Sequence, residues 1–385
     1  MIQLPDGGHR HRHRHYRPIT QTTPINPITI ANPPGPAMQL LNTLYVNTPG
    51  SYLRLDNATL RVDVERETRL RVPLHHLQSV VCFGPVGLSA PLMHRLADEA
   101  IGLVLMDDNG RFKARLEGAT AGNVLLRRAQ HLRAMDPAFA LDTARAFVAG
   151  KIKNTRQVLQ RGARESKLPD EAARLTRGAD DLAASLRALP AVPDLDTLRG
   201  VEGEAARQYF GCLSLLVRAD ARPHFAMDGR NRRPPRDRIN ALLSFLYAMW
   251  MNDCRSAIEA AGLDPQVGFL HALRPGRAAL ALDLMEEFRP YADRLALSLV
   301  NREQLNAESF VLREGGAVAL TPEARKAVVV AYQQRKQEDI THPLLALSLP
   351  LGLVPLVQAR LLARAVRGEL DADGQAGGYL PFTAK

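Results

Sequence analysis

The chain has 385 residues, 46% of them hydrophobic, and a formal net charge of +10. That apolar content excludes a wholly disordered chain, and the length allows one large or two ordinary domains. The positive balance points to a polyanionic partner, nucleic acid being the usual one, with a merely soluble arginine-rich protein as the alternative.

Residues 1–37 open on MIQLPDGGHRHRHRHYRP and end on NPPGPA. They show no apolar periodicity and cannot bury a core. We expect a disordered extension or a non-native start there, with Met38 opening the first folded domain. The stretch LNTLYVNTPGSYLRLDNATLRVDVERETRLRVPLHHLQSVVCFG then alternates apolar and polar residues between PG and DN turns. That period of two predicts half-buried strands. SAPLMHRLADEAIG reads as a helix with Ser89 as its N-cap, and GLVLMDDNGRFKARLEG returns to strand around a DNG turn. Residues 38–118 are therefore expected to form a small, sandwich-like β-rich domain.

From residue 119 to 385 the pattern is helical. LLRRAQHLRAM, ALDTARAFVAGKIKNTRQVLQRG and DEAARLTRGADDLAASLRAL space their apolar residues by three and four. LPAVPDL is a loop. Helices follow around VEGEAARQYFGCLSLLV, INALLSFLYAMWMNDCRSAIEAAG and ALALDLMEEF, then a turn-containing insert, LREGGAVALT, and two last helices. The expected class is α+β, a β-rich domain followed by a larger all-α domain. PLLALSLPLGLVPLV is shorter than the ~20 residues a bilayer span needs and is broken by Pro350, Gly352 and Pro355, so it reads as a bent core element. The polar N-terminus has no apolar signal-peptide core. Cys82, Cys212 and Cys254 form no CxxC pair, which argues against a disulfide framework or a cysteine zinc site and for a reducing, cytoplasmic setting without a membrane.

Three stretches could carry chemistry. In GFLHALRPGRAALALDLMEEFRP, Asp283, Glu286 and Glu287 fall at i, i+3 and i+4 on one helix face. RPG breaks the chain before them, so His271 can fold back over the carboxylates. Clustered carboxylates repel unless something positive joins them. An imidazole and carboxylates from different segments suit Mg²⁺, Mn²⁺ or a similar cation. A satisfied histidine above a solvated acidic face is the alternative. In RGVEGEAARQYF, Glu202 shares a helix stripe with Ala205, Ala206 and Tyr209, where a lone carboxylate is costly. Gly200 and Gly203 beside it suggest close approach of a backbone or ligand, and an ion pair with an arginine is the plainer reading. In RNRRPPRDRINALLSFLYAMW, Arg230, Arg232, Arg233, Arg236 and Arg238 surround a Pro-Pro pair, and Asp237 can cap the helix that follows. Such a loop suits phosphate, although local acids could equally pair its arginines. Lys151 and Lys153 in KIKNTRQ form a weaker basic patch. There is no GxSxG, GxxxxGK[ST] or HExxH motif.

Together, LNTLYV, KIKN, RGVEGEAARQYF, RRPPRDRINALLSFLY, GFLH and LDLMEEFRP resemble the spacer-acquisition integrase of CRISPR–Cas systems, the universal adaptation endonuclease. LSLPLGLVPLVQARLLARAVRGEL is similar to its subtype I-C branch. The resemblance runs from Met38 to the C-terminus. It implies a helical catalytic domain, a homodimer and assembly with a small ferredoxin-like CRISPR-associated partner. It also implies that Glu202, His271 and Glu286 hold Mg²⁺ or Mn²⁺, with Asp283 a further acid that orients or activates the nucleophile. The implied activity is metal-assisted attack of a 3′-hydroxyl on CRISPR-repeat phosphodiesters, inserting short DNA fragments into the array. Arg230, Arg232, Arg233, Arg236, Arg238, Lys151 and Lys153 would hold phosphates, and Glu287 would be a salt-bridge partner. A metal-dependent branched-DNA nuclease without integrase activity and a non-catalytic DNA-binding scaffold are the rivals.

Overall fold

The computed structural model describes residues 43–107, 112–116, 118, 124–369 and 377–383. The expected extension over 1–37, its boundary at Met38 and the Asp108-Asn109-Gly110 turn lie outside them. The N-terminal region holds strands β1 (Thr43–Val46), β2 (Tyr52–Asp56), β3 (Thr59–Val64), β4 (Glu67–Pro73), β5 (Ser79–Phe83) and β6 (Gly87–Leu88). Helix α1 (Ala90–Asp98) and strands β7 (Gly102–Met106) and β8 (Phe112–Leu116) complete it.

Two four-stranded sheets result. One runs β4-β3-β2-β6 and the other β1-β5-β7-β8. In β2 and β3 of the first, the predicted alternation holds: Leu53, Leu60 and Val62 point inward while Tyr52 and Arg54 lie outside; β4 departs from it, with Leu70 exposed. Their core is shared with Leu92 and Leu96 of α1 and with Val80, Cys82 and Leu103 of the second sheet. Ser89 caps α1 by accepting from the Leu92 N–H. The second sheet departs from the half-buried expectation. β1, β5 and β7 are parallel, and every residue of β5 is buried. Val80 and Cys82 face the small core, while Val81 and Phe83 face the helical one. Parallel strands covered on both faces are apolar throughout.

The helical region follows as α2 (Val124–Met135), α3 (Pro137–Glu165), α4 (Pro169–Ala188), α5 (Leu195–Leu213), α6 (Arg238–Ala260), α7 (Ala279–Met285) and α8 (Arg289–Asn301). It closes with α9 (Pro322–Gln337) and α10 (Val354–Arg367). Two small antiparallel strand pairs interrupt it: β9 (Phe310–Leu312) with β10 (Val318–Leu320), and β11 (Asp339–Thr341) with β12 (Ser348–Pro350). The first pair is the predicted turn-containing insert. Strand β12 of the second pair lies inside the Pro343–Val357 stretch, of which Leu351, Leu353 and Val354 enter the core while Leu344, Leu345 and Leu347 stay exposed.

Helix α6 runs through the middle of the core. Asp237 caps it, accepting from the Asn240 N–H at 2.7 Å. Its Trp250 is fully buried, stacked on Phe288 at 5.2 Å and edge-on to Tyr332 at 5.5 Å. Truncating such a side chain costs about 3–5 kcal/mol. Arg115 of β8 reaches Glu259 of α6 at 2.7 Å and ties the second sheet to the helices. Among the described residues, no helix is long and apolar enough to cross a membrane.

Candidate active site

Four segments converge on one acid cluster. Helix α3 delivers Lys151, α5 delivers Glu202, the end of α7 delivers Asp283 and Glu286, and the loop before α7 delivers His271. Helix α7 stops at Met285, so Glu286 sits at its C-terminal cap and Glu287 lies beyond it. The three carboxylates thus do not share one long helix face, as the spacing predicts. They diverge.

Asp283 is fully buried and points back at the loop. It accepts from the backbone N–H of Phe269 (2.6 Å), Leu270 (3.0 Å) and His271 (2.9 Å), and contacts His271 Nδ1 at 2.6 Å. Gly268 makes this approach possible: a Cβ there would fall 2.6 Å from Asp283 Oδ2 and 2.8 Å from the Ala279 carbonyl carbon. With its oxygens so engaged, Asp283 fixes the imidazole rather than a nucleophile. The carboxylate at Nδ1 places the ring proton there and leaves the Nε2 lone pair free for a ligand. Nε2 lies 3.9 Å from Glu286 Oε1.

Lys151 enters the cluster between the two glutamates. Its Nζ pairs with Glu202 Oε1 and lies 2.7 Å from Glu286 Oε2. Glu202 therefore pairs with a lysine, not the expected arginine, and Lys151 is enclosed rather than displayed for phosphate. Arg289, four residues from Met285, closes the other side: its Nε is 2.8 Å from Glu286 Oε1, and its guanidinium lies over the Tyr247 ring at 4.7 Å. Burial alone would raise the Glu286 carboxyl, but Arg289, Lys151 and His271 outweigh it and hold the group down at about 2. Burial would lower Lys151, and Glu286 and Glu202 reverse this and raise it. Arg289 is not among the residues the sequence motifs single out; its only signal in the sequence is its place three residues after Glu286.

Among the described residues, no group of three His, Cys, Asp or Glu side chains closes to metal-ligand distance. The Lys151 ammonium fills the gap that separates Glu202 from Glu286. The donor set nevertheless fits a divalent cation: one imidazole nitrogen and two carboxylates, brought from three distant segments. Glu286 Oε2 supports the fit. It is buried in ion-pair contact with Lys151 yet makes no well-directed hydrogen bond, so an acceptor is left for a ligand.

Helix α5 is seated by Tyr209, seven residues beyond Glu202. Its hydroxyl donates to buried Asp293 at 3.0 Å, and Tyr247 donates to the same carboxylate at 2.5 Å. Arg199 Nε donates to the Leu270 carbonyl at 2.8 Å and binds α5 to the His271 loop. Gly200 and Gly203 meet open space, so no close approach explains them.

The other predicted residues divide. Arg230 turns inward, donating to Asn240 Oδ1 (2.6 Å) and Ser244 Oγ (3.1 Å) over the Tyr247 ring, and Arg238 donates to the His224 carbonyl. Both brace the loop. Arg232, Arg233, Arg236 and Lys153 are exposed. Burial, the nearby Arg274 and then Arg232 and Arg233 lower the Arg277 guanidinium, with Asp283 opposing, so the loop before α6 and the loop after His271 add to one basic field, a basic rim. Among the described residues, Glu287 makes no salt bridge. It is fully buried and accepts from Tyr379, Gln358 (3.0 Å) and the Phe382 N–H (2.8 Å). Burial pushes its carboxyl up to about 8 against those three hydrogen bonds.

Residues 44–334 match the family model of the CRISPR associated protein Cas1. The chain belongs to this family. The CRISPR-associated endonuclease Cas1 1 of Moorella thermoacetica is 54% identical over 344 residues, covering 89% of this chain and 98% of the relative. The CRISPR-associated endonuclease Cas1 2 of Rhodospirillum rubrum is 51% identical over 339 residues, covering 87% of this chain and 97% of its own. Two solved structures share the fold. A CAS1 protein from Thermotoga maritima superposes with a TM-score of 0.74 at 23% identity, over 85% of this chain and 98% of that one. A casposase bound to integration product does so with a TM-score of 0.72 at 22% identity, over 84% and 90%. The β-rich region followed by a helical one is thus a fold this chain shares with a solved Cas1 protein.

Proposed function

We propose that this Cas1 chain is a metal-dependent DNA endonuclease and integrase that inserts short fragments into a CRISPR array. The observation that carries the reading is the convergence of Glu202 and Glu286, from two segments, on the largely enclosed Lys151 ammonium, with His271 Nε2 from a third segment 3.9 Å from Glu286. Those three residues would hold Mg²⁺ or Mn²⁺, with Lys151 giving up its place between the glutamates. Bound there, the metal would polarise a phosphate oxygen and stabilise charge developing in the displacement.

The remaining work falls to the chain itself. Asp283 holds the His271 proton at Nδ1. Arg232, Arg233, Arg236, Arg274 and Arg277 hold the phosphodiester backbone without reading bases. The 3′-hydroxyl oxygen of a short duplex bonds to phosphorus as the repeat's bridging P–O bond breaks. One phosphodiester replaces another, so no external energy source is needed. Water in place of the hydroxyl gives simple cleavage. The endonuclease names of the relatives and the integration product carried by the casposase support this reading. So does the likeness to the Cas6-RT-Cas1–Cas2 complex for assembly with a second protein. A homodimer, a ferredoxin-like fold for that partner and membership of subtype I-C extend the same reading.

The test is integration of a labelled duplex into a supercoiled repeat plasmid, with Mn²⁺ or Mg²⁺ and with and without the small partner. Joined product is expected. Cleavage of branched DNA with no joined product would replace the integrase reading with that of a nuclease alone.

A further inference from the structure

The C-terminal peptide lies against the back of the acid cluster. Tyr379 and Phe382 are buried although they lie near the end of the chain. Gln358 donates to the Tyr379 hydroxyl at 2.8 Å, and that hydroxyl donates to Glu287. The Phe382 N–H donates to the same carboxylate. Asn154 Nδ2 donates both to the Glu287 carbonyl (2.9 Å) and to the Phe382 carbonyl (3.0 Å). The Phe382 ring stacks on Phe288 at 5.7 Å, and the Tyr379 ring packs on Phe147 at 4.8 Å.

These contacts fall beside both halves of the site. Glu287 and Phe288 directly follow Glu286. Gly150 precedes Lys151, and Asn154 follows it by one turn of α3. A Cβ at Gly150 would fall 2.9 Å from Pro381 Cβ and 3.2 Å from Glu287 Cγ, so α3 and the Glu286 segment meet across this peptide with no room to spare. Among the described residues, no hydrogen bond or ion pair joins Glu286 or Lys151 to the peptide. Its grip is on the backbone that aims them.

We infer that Tyr379–Phe382 is a clasp that sets the position of Glu286 against α3, making Tyr379, Phe382, Glu287 and Asn154 positioning residues for the metal site. The inference rests on the metal-site reading above. Supporting groups of this kind commonly change metal affinity or activity about 10–100-fold when altered.

The test uses the full chain carrying Tyr379→Phe, which removes one hydrogen bond, or Phe382→Leu, which keeps the site apolar. Mn²⁺ affinity is titrated by calorimetry well below the melting temperature, and kcat and KM are measured separately on a DNA substrate. Both variants should bind Mn²⁺ about tenfold more weakly and lose about tenfold in kcat, with KM for DNA unchanged. Leu60→Ala, in the distant sheet core, should lower the melting temperature without changing Mn²⁺ affinity. Wild-type Mn²⁺ affinity and kcat in both clasp variants would overturn the inference. Glu286→Ala in the same titration separates the two readings. Undiminished binding there defeats the metal site itself, while lost binding there with intact binding in the clasp variants defeats the clasp alone.

Discussion

The Lys151 ammonium lies 2.7 Å from Glu286 Oε2 and also pairs with Glu202, so one buried positive charge joins the two carboxylates expected to bind metal. It takes the electrostatic place of a cation. Removing one partner of a buried charge pair costs about 3–5 kcal/mol, because the other is left uncompensated. Lys151→Met should therefore lower the melting temperature of the metal-free protein. It should also enlarge the rise in melting temperature on adding Mn²⁺. An unchanged metal-free melting temperature would show that the ammonium compensates nothing.

Glu202 pairs with Lys151 and, among the described residues, makes no ion pair with an exposed arginine. Glu202→Ala should abolish cleavage and strand joining while leaving DNA affinity nearly intact. Gel-shift titration beside the plasmid assay checks both halves. Activity that survives the change in Mn²⁺ would falsify the ligand assignment.

Asp283 and Gly268 act as one device. An amide in place of the carboxylate turns a donor toward the three N–H groups of residues 269–271. Asp283→Asn should thus misplace His271 and cost about 10–100-fold in Mn²⁺ affinity or turnover. Gly268→Ala should give the same phenotype by pushing on the same oxygen. If Gly268→Ala binds Mn²⁺ normally while Asp283→Asn does not, the carboxylate has a role other than holding the loop.

The basic rim should behave unlike the loop that carries it. Arg232→Ala and Arg233→Ala should each weaken binding to all DNA sequences alike and reduce the salt slope by about 1. Arg230→Ala should instead destabilise the start of α6, since its partners are Asn240 and Ser244. Affinity measured across a salt series, with a melting curve for each variant, tells the two behaviours apart.

The sequence made His271, Glu202 and the Asp283–Glu287 acids stand out as candidates because carboxylates and an imidazole on apolar stretches are expensive without a reason, but only the family resemblance singled out Glu286 from Glu287. The strand-then-helix order was legible because the period changes from two to about 3.6 near residue 119. Lys151 was misread because a basic heptapeptide shows charge but not what faces it; its partners lie on α5 and beyond α7. Arg230 was misread for the same reason, since Asn240 and Ser244 face it only once α6 has formed. Glu287 read as a salt-bridge partner because the residues that bury it and hydrogen-bond it, Tyr379 and Phe382, are more than ninety positions away in the chain.

Asp293 supplies a pH test away from the metal ligands. Burial raises its carboxyl to about 6, and the hydrogen bonds from Tyr247 and Tyr209 and the nearby Arg289 and Arg230 offset only part of that. The native state therefore holds a proton that the unfolded chain, with an ordinary aspartate value near 3.8, releases. The stability this proton contributes is fully present below that unfolded value and is lost as pH rises through about 6. Between about pH 4.5 and 7 the loss should be roughly 2 kcal/mol. Asp293→Asn keeps the shape and cannot titrate, so its stability relative to the wild type should improve by about that amount over the same window. Urea melts of both proteins at each pH measure the difference. A gap that does not change with pH would mean that Asp293 stays ionised between its two tyrosines, and that the phenol hydroxyls alone keep the Glu202 helix against α8.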